Sequence, residues 1–431
     1  MVYLIRQKQG YRQTASRCFI RRTGPKSAAF CMIALFLALP VIAVAVSLPA
    51  CARSVFCRLC GYYGYRIVSR VAARTGGNMK KTSKPEKWIC LLCVLLMLAA
   101  VPACAAGKDR VFTVQERTGC ENTSKSYDAF YAAGSCGVLI PGLAEDLVPK
   151  GIAYLESENQ LIFAGYSSGK GEHSALIFTD AETGEITRQV LLETVSGEPY
   201  TGHAGGVCVT QKDLYVSNAN RLYRISLDTL LKLPERAVCA FEEEIGVPVN
   251  SSYCSCSEGI LWVGEFEYST DYKTDASHKI KTGEGFFRAW TCGYRLDEEG
   301  GLSGRETCNG NIIPDIILST PERIQSVAMM NGNIYVSRSY GRRASSSLMR
   351  FDGLLERKAD TSAEYGGKEI PVWYLDKVNR SAIIVAPPMT EGLCCVNGRM
   401  TVLFESAANT YRRYDNASEN PMDRVFCLSG F

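Results

Sequence analysis

The sequence predicts an all-β fold, a β-propeller of five four-stranded blades, on three observations. Beyond Asp146 one pattern keeps returning: a short strand opening on Gly or a small residue, a polar turn, then an apolar run ending in small or charged residues. The copies are spaced by about 50 to 70 residues and a third strand follows several of them, which suits propeller blades better than solenoid repeats or an immunoglobulin-type sandwich. Apolar residues at helical spacing are missing after the leader, so no long amphipathic helix is expected there.

The copies can be read in order. Gly151–Tyr154 is followed by Gln160–Tyr166, Gly206–Val209 by Asp213–Asn218, Tyr253–Cys256 by Gly259–Glu265, Ser326–Met329 by Asn333–Arg338, and Gly392–Val396 by Arg399–Glu405. Third strands are expected at Ser174–Asp180, Arg221–Ser226 and Ser347–Asp352, and a fourth at Ile186–Leu192 beyond a tight turn rich in Asp, Thr and Gly. The last repeat ends at Asp423–Leu428 without its own fourth strand, while Gly137–Ile140 stands unpaired ahead of the first. Pairing those two would close the ring and remove both exposed edges. The blade count becomes six if the long third repeat hides another.

Ahead of this region lies a basic leader. No Asp or Glu occurs before Glu86, so the formal net charge of +4 is concentrated there and gives no support to nucleic-acid binding. Two apolar runs, Ala28–Ala50 and Trp88–Ala103, each follow cations and precede small residues. The second has the plan of a secretory signal peptide: Lys80, Lys81, Lys84 and Lys87, then Ile89–Ala100, then Val101–Ala106 with cleavage expected near Ala105. The first is long enough to span a bilayer. Either residues 1–78 are genuine and the chain is a membrane protein, or translation starts at Met79. Cys104 after Val101-Pro-Ala, and Cys51 after Leu48-Pro-Ala, loosely match a lipidation box. The resulting division is 1–78 leader, 79–105 signal peptide or membrane anchor, 106–136 N-terminal extension and 137–431 propeller. The expected localisation is secreted or cell-envelope associated, with membrane anchoring if the leader is retained.

Eight of the 19 cysteines fall in the leader and eleven follow it, so they cannot all pair within one chain. An exported protein is expected to hold some disulfides, and Cys120 with Cys136, flanking a short polar loop, is the first expected pair.

The runs Val148–Tyr154, Thr201–Val207, Val336–Gly341 and Pro387–Gly392 with Leu403–Ser406 resemble those of uncharacterised exported propeller proteins of Gram-positive bacteria. More distantly the chain resembles TolB-like and gluconolactonase-like propellers. The resemblance spans Asp146 to Leu428 and implies a fold, with no activity attached.

In a propeller, the loops leading into the innermost strands and those leaving the second strands open on one face, around the channel where ligands bind. His203, Arg323, Gln325 and Glu391 take the first kind of position; Tyr166, Asn218, Glu265, Arg338 and Glu405 take the second. This nominates Tyr166, Asn218, Arg323, Gln325 and Arg338 as ligand-binding residues and His203 as a proton carrier. Glu265, Glu391 and Glu405 are candidate ligands of one divalent cation, calcium by analogy with the oxygen-rich sites of gluconolactonase-like propellers. The competing reading is that these groups staple neighbouring blades together. Gly165-Tyr-Ser-Ser-Gly169 fits G-x-S-x-G, but that motif needs a helix after the serine, where another strand is expected. The functional expectation is a ligand-binding or interaction module, its partner a small molecule, a carbohydrate or a cell-envelope protein. The alternative is a metal-dependent hydrolase or lyase working at the channel mouth.

Overall fold

A computed structural model describes residues 110–431, apart from 269–270 and 414–416. The leader, with both apolar runs, the cleavage region and the lipidation-box cysteines Cys51 and Cys104, lies outside the described residues. Among the described residues no helix is long and apolar enough to cross a membrane.

Five sheets form five blades, each beginning with an innermost strand antiparallel to the second. Blade 1 starts with Leu147–Leu155 and Gln160–Ser167, blade 2 with Gly206–Val209 and Asp213–Asn218, blade 3 with Ser251–Ser257 and Ile260–Glu265, blade 4 with Ile324–Met330 and Asn333–Arg338, and blade 5 with Thr390–Val396 and Arg399–Phe404. Each innermost strand packs against the next, and that of blade 5 packs against that of blade 1, so the ring closes. Closure is made as the sequence suggested. Gly134–Leu139 pairs antiparallel with Arg424–Leu428 and completes blade 5 as its outermost strand, so one blade is built from segments before the first repeat and after the last. The short helix α1 (Asp128–Ala132) precedes this strand, and its Phe130 ring stacks on Phe426 with centroids 4.0 Å apart. Cys120 and Cys136 are paired as a disulfide, with Cα atoms 6.3 Å apart, and tie the extension to the closing strand.

The third repeat does not contain a sixth blade. Its extra residues form a two-stranded ribbon, Ile280–Thr282 with Gly285–Phe287, and two short strands, Thr307–Cys308 and Asn311–Ile312, that extend the outer side of blade 2. Blades 1 and 3 are also widened beyond four strands: Arg236–Ala240 adds to blade 1 and Lys368–Tyr374 to blade 3, both in parallel pairing.

Local chemistry accounts for the strand register. Innermost and second strands of blades 3, 4 and 5 are joined by Glu258-Gly259, Asn331-Gly332 and Asn397-Gly398, in which both residues have positive φ. This is the two-residue hairpin geometry that Asn-Gly favours because its twist matches that of the strands. The Gly residues that open the innermost strands have another role. A Cβ on Gly151 would fall on Val207 N, and one on Gly206 on Cys254 N, so neighbouring innermost strands approach to main-chain contact only where the side chain is missing. Apolar side chains pack mainly between adjacent blades, as in the cluster of Phe178, Val190, Val207 and Ile225 between blades 1 and 2.

Candidate functional site

Four of the five innermost strands carry an irregularity at the same place. The ladder skips Lys150 in blade 1, Ser252 in blade 3, Gln325 in blade 4 and Glu391 with Gly392 in blade 5. A bulge re-aims the unpaired residue away from the alternation of the strand, and here Lys150, Ser252, Gln325 and Glu391 all line one cavity of about 630 Å³ at the channel mouth. Pro149, which has no N–H to give to a ladder, immediately precedes the first of them.

The second strands supply the next layer, one residue per blade. In blade 1 Pro149, just before the bulge, faces Gly165, and Tyr166 follows. The matching residues are Phe266 in blade 3, after the Ser251–Glu265 pair, Ser339 in blade 4, after Ile324–Arg338, and Glu405 in blade 5, after Thr390–Phe404. In blade 2, which has no bulge, Asn218 follows the Gly206–Ser217 pair. All five line the cavity.

This register sorts the residues expected from the sequence. Tyr166, Asn218, Gln325, Glu391, Glu405 and His203 come together at the mouth. Glu265, Arg338 and Arg323 are not among its lining residues. Glu265 and Arg338 stand one position short of the lining residue, and because strand side chains alternate, one position turns a side chain to the other face. Glu265 is buried inside blade 3. There its Oε1 lies 2.6 Å from His278 Nδ1 and accepts from Trp290 N at 3.0 Å, while Oε2 accepts from Asn250 N at 3.3 Å. Arg338 and Arg323 both turn to Glu322 Oε1, at 3.1 and 2.7 Å. Arg323 has φ of 67°, and its guanidinium lies 4.8 Å from the Tyr268 ring centre.

Lys150, which sequence reasoning passed over, organises the floor of the site. Its Nζ donates to Glu391 Oε1 and to Glu405 Oε2, both at 2.9 Å, and Gln325 Nε2 donates to the same Glu391 oxygen at 3.3 Å. All three charged groups are buried. Burial disfavours the Lys150 ammonium, but the two carboxylates outweigh it and raise the pKa, so it stays charged. One ammonium does not neutralise two carboxylates. Burial, and after it the Glu405 charge, push the Glu391 carboxyl well above the usual range. The only warning in the sequence was a lysine beside Pro and Gly at the opening of an innermost strand.

The walls are aromatic. The Tyr166 and His203 rings stack with centroids 4.6 Å apart, and the Tyr166 hydroxyl lies 3.5 Å from that of Tyr411. Desolvation by the surrounding chain, with the Lys150 charge second, lowers the His203 pKa. Solvent tempers that lowering, because His203 keeps an exposed surface at the mouth, and both effects leave a neutral ring near neutral pH. Ser167 ends the second strand of blade 1, with its hydroxyl bonded to Glu172 and a strand, Ala175–Asp180, following it. The strained serine of a nucleophile elbow is therefore not built here.

Among the described residues no group of three or more His, Cys, Asp or Glu side chains is placed to hold a metal ion. Glu391 and Glu405 are the two expected cation ligands that do meet, and the Lys150 ammonium stands between them.

The fold and the site together define a class: a five-bladed β-propeller with a polar, aromatic-walled cavity at one mouth of its channel. No protein-family model and no curated protein matches the sequence. Solved structures align at low similarity. Glutaminyl cyclase from Myxococcus xanthus is 11% identical over 66% of this chain and 91% of its own, with a TM-score of 0.32. A GH43_1 enzyme from Xanthomonas citri is 13% identical over 71% and 93%, with a TM-score of 0.35. BamB from Moraxella catarrhalis is 10% identical over 74% and 97%, with a TM-score of 0.28. At this level the alignments carry no inference about activity, and the propeller assignment stands on the strand pairing and ring closure described above.

Proposed function

We propose that the chain is an exported or membrane-tethered propeller that acts at the cell envelope as a binding module, taking a carbohydrate or a similarly polar small molecule into the channel mouth. The observation that supports this most directly is the composition of the cavity, in which flat rings (Tyr166, His203, Phe266) alternate with amides and carboxylates (Asn218, Gln325, Glu405) around about 630 Å³. Ring faces suit the C–H faces of a pyranose, and amides and carboxylates exchange hydrogen bonds with its hydroxyls. The test is calorimetric titration of the purified full chain with a panel of neutral and acidic mono- and oligosaccharides. Saturable heat that disappears in Tyr166→Ala and Asn218→Ala, while both variants melt as the parent does, is the expected result. Absence of binding across the panel would remove the carbohydrate reading. Fractionation of the producing cells, with recovery in the cytosol, would remove the export reading.

A metal-assisted hydrolase or lyase acting on a lactone or carbohydrate is the second reading, favoured by the meeting of Glu391 and Glu405 at the mouth. Calcium would have to displace the Lys150 ammonium from between them, which sets an electrostatic barrier to occupancy. If this reading holds, calcium added to the full chain raises its melting temperature, and Glu405→Gln abolishes the rise. A melting temperature that calcium leaves unchanged would count against it.

A further inference from the structure

Cys208 and Cys254 belong to the innermost strands of blades 2 and 3, which lie against each other at the Gly206–Cys254 approach. Cys254 Sγ reaches across that boundary and sits 3.8 Å from Tyr215 O. Tyr215 is the ladder partner of Cys208, so the Cys254 sulfur is directed at the strand pair that carries the other thiol. Both cysteines are free thiols buried in one apolar cluster, at 1% and 4% exposure. The Cys208 thiol pKa is raised, by burial first and by the neighbouring Cys254 thiol next, so the Cys254 side chain lies beside that of Cys208. Vicinal Cys394 and Cys395 differ in this respect, because adjacent strand residues point to opposite faces.

We infer that Cys208 and Cys254 are a disulfide site that joins blade 2 to blade 3 at the channel-side strands, oxidised as the chain folds outside the cytoplasm. This rests on the export reading for its oxidising compartment. The oxidant is a disulfide donor of the glutathione or oxidised-dithiol class. One cysteine thiolate attacks the donor disulfide and expels one donor thiolate; the second attacks the resulting mixed disulfide and expels the other. Two electrons pass from the cysteine pair to the donor, and the two donor thiolates take up the protons that the cysteines lost. Oxidation belongs to folding because the finished ring seals both sulfurs from any oxidant, and the same burial shields the bond from reductants afterwards.

The test uses the full chain, reduced in urea and refolded in a glutathione redox buffer. It is alkylated once Cys120–Cys136 has formed, then mapped by mass spectrometry without reductant. The expected result is a peptide pair linked through Cys208 and Cys254 that separates on reduction, with Cys254 alkylated in Cys208→Ser. Alkylation of both cysteines in the parent chain, or linkage of either to a different cysteine, would overturn the assignment without need of any variant. The same map on protein alkylated inside intact cells separates the two readings. A link formed in the refolded chain but missing in cells would support the pair and overturn the export reading.

Discussion

Glu265 ends the second strand of blade 3 and Glu405 directly follows that of blade 5; they look alike in the repeat, yet they have opposite surroundings. Glu405 faces the channel and shares the Lys150 ammonium with Glu391; Glu265 faces into its own blade, against His278 and two main-chain N–H groups. One residue of register separates them. Glu265 is itself paired across the ladder with Ser251, whereas Glu405 follows the residue paired with Thr390. Their partners come from distant sequence. Lys150 is aimed by a bulge in blade 1, and His278 is delivered by a short 3-10 turn, Ala276–His278, whose imidazole stacks 4.0 Å from the Trp290 ring. The contrast teaches that repeat position locates a carboxylate along the strand, while register and a non-local partner decide whether it serves a cavity or a blade.

The largest effect expected from breaking this contrast is on the channel side. Lys150→Ala leaves the Glu405 carboxylate and the Glu391 carboxyl buried together without a counter-ion, and the unfolding free energy of the full chain in urea should fall by about 3–5 kcal/mol. A loss below about 1 kcal/mol would mean that the pair is solvated and that the floor is not an ionic unit. On the blade side, His278→Ala removes the imidazole from Glu265 but leaves its main-chain donors, so a smaller loss of about 2 kcal/mol is expected by the same denaturation.

A third test sharpens the difference in charge. The Glu391 carboxyl is raised by burial and by Glu405, so its contribution to stability is present below the ordinary carboxylate value of 4.5 and is lost as pH rises through the raised value. Unfolding free energy measured from pH 5 upward should therefore decline in the parent chain. It should decline less in Glu391→Gln, whose amide oxygen still accepts from Lys150; equal slopes would show that Glu391 does not hold the excess proton. The smallest effect is a null one. The two clusters share no partner in the hydrogen bonds described, so the Lys150→Ala, His278→Ala double variant should show coupling below about 0.5 kcal/mol. Larger coupling would join the two regions into one network.

Much of the architecture was legible because it is written locally. Gly or a small residue at the opening of an innermost strand, polar turns and apolar runs of strand length repeat along the chain, and the unpaired strand ahead of the first repeat together with the short last repeat pointed to the closure. The site was legible only in part. Six of the nine nominated residues meet at the mouth, but Glu265, Arg323 and Arg338 do not, since a pattern of strands gives position along a strand and not its phase relative to a bulge. Lys150 and Phe266 were overlooked for the same reason.

The sequence by itself determined that this chain builds β blades in a closed series, because hairpin turns, strand alternation and close-approach glycines act over a few residues. Tertiary structure decided which side chains share the channel and which carboxylate is neutralised by what. Those outcomes depend on bulges that rotate single residues and on partners brought together from blades far apart in the chain, where the energy of burying a charge is set by neighbours that no local pattern names.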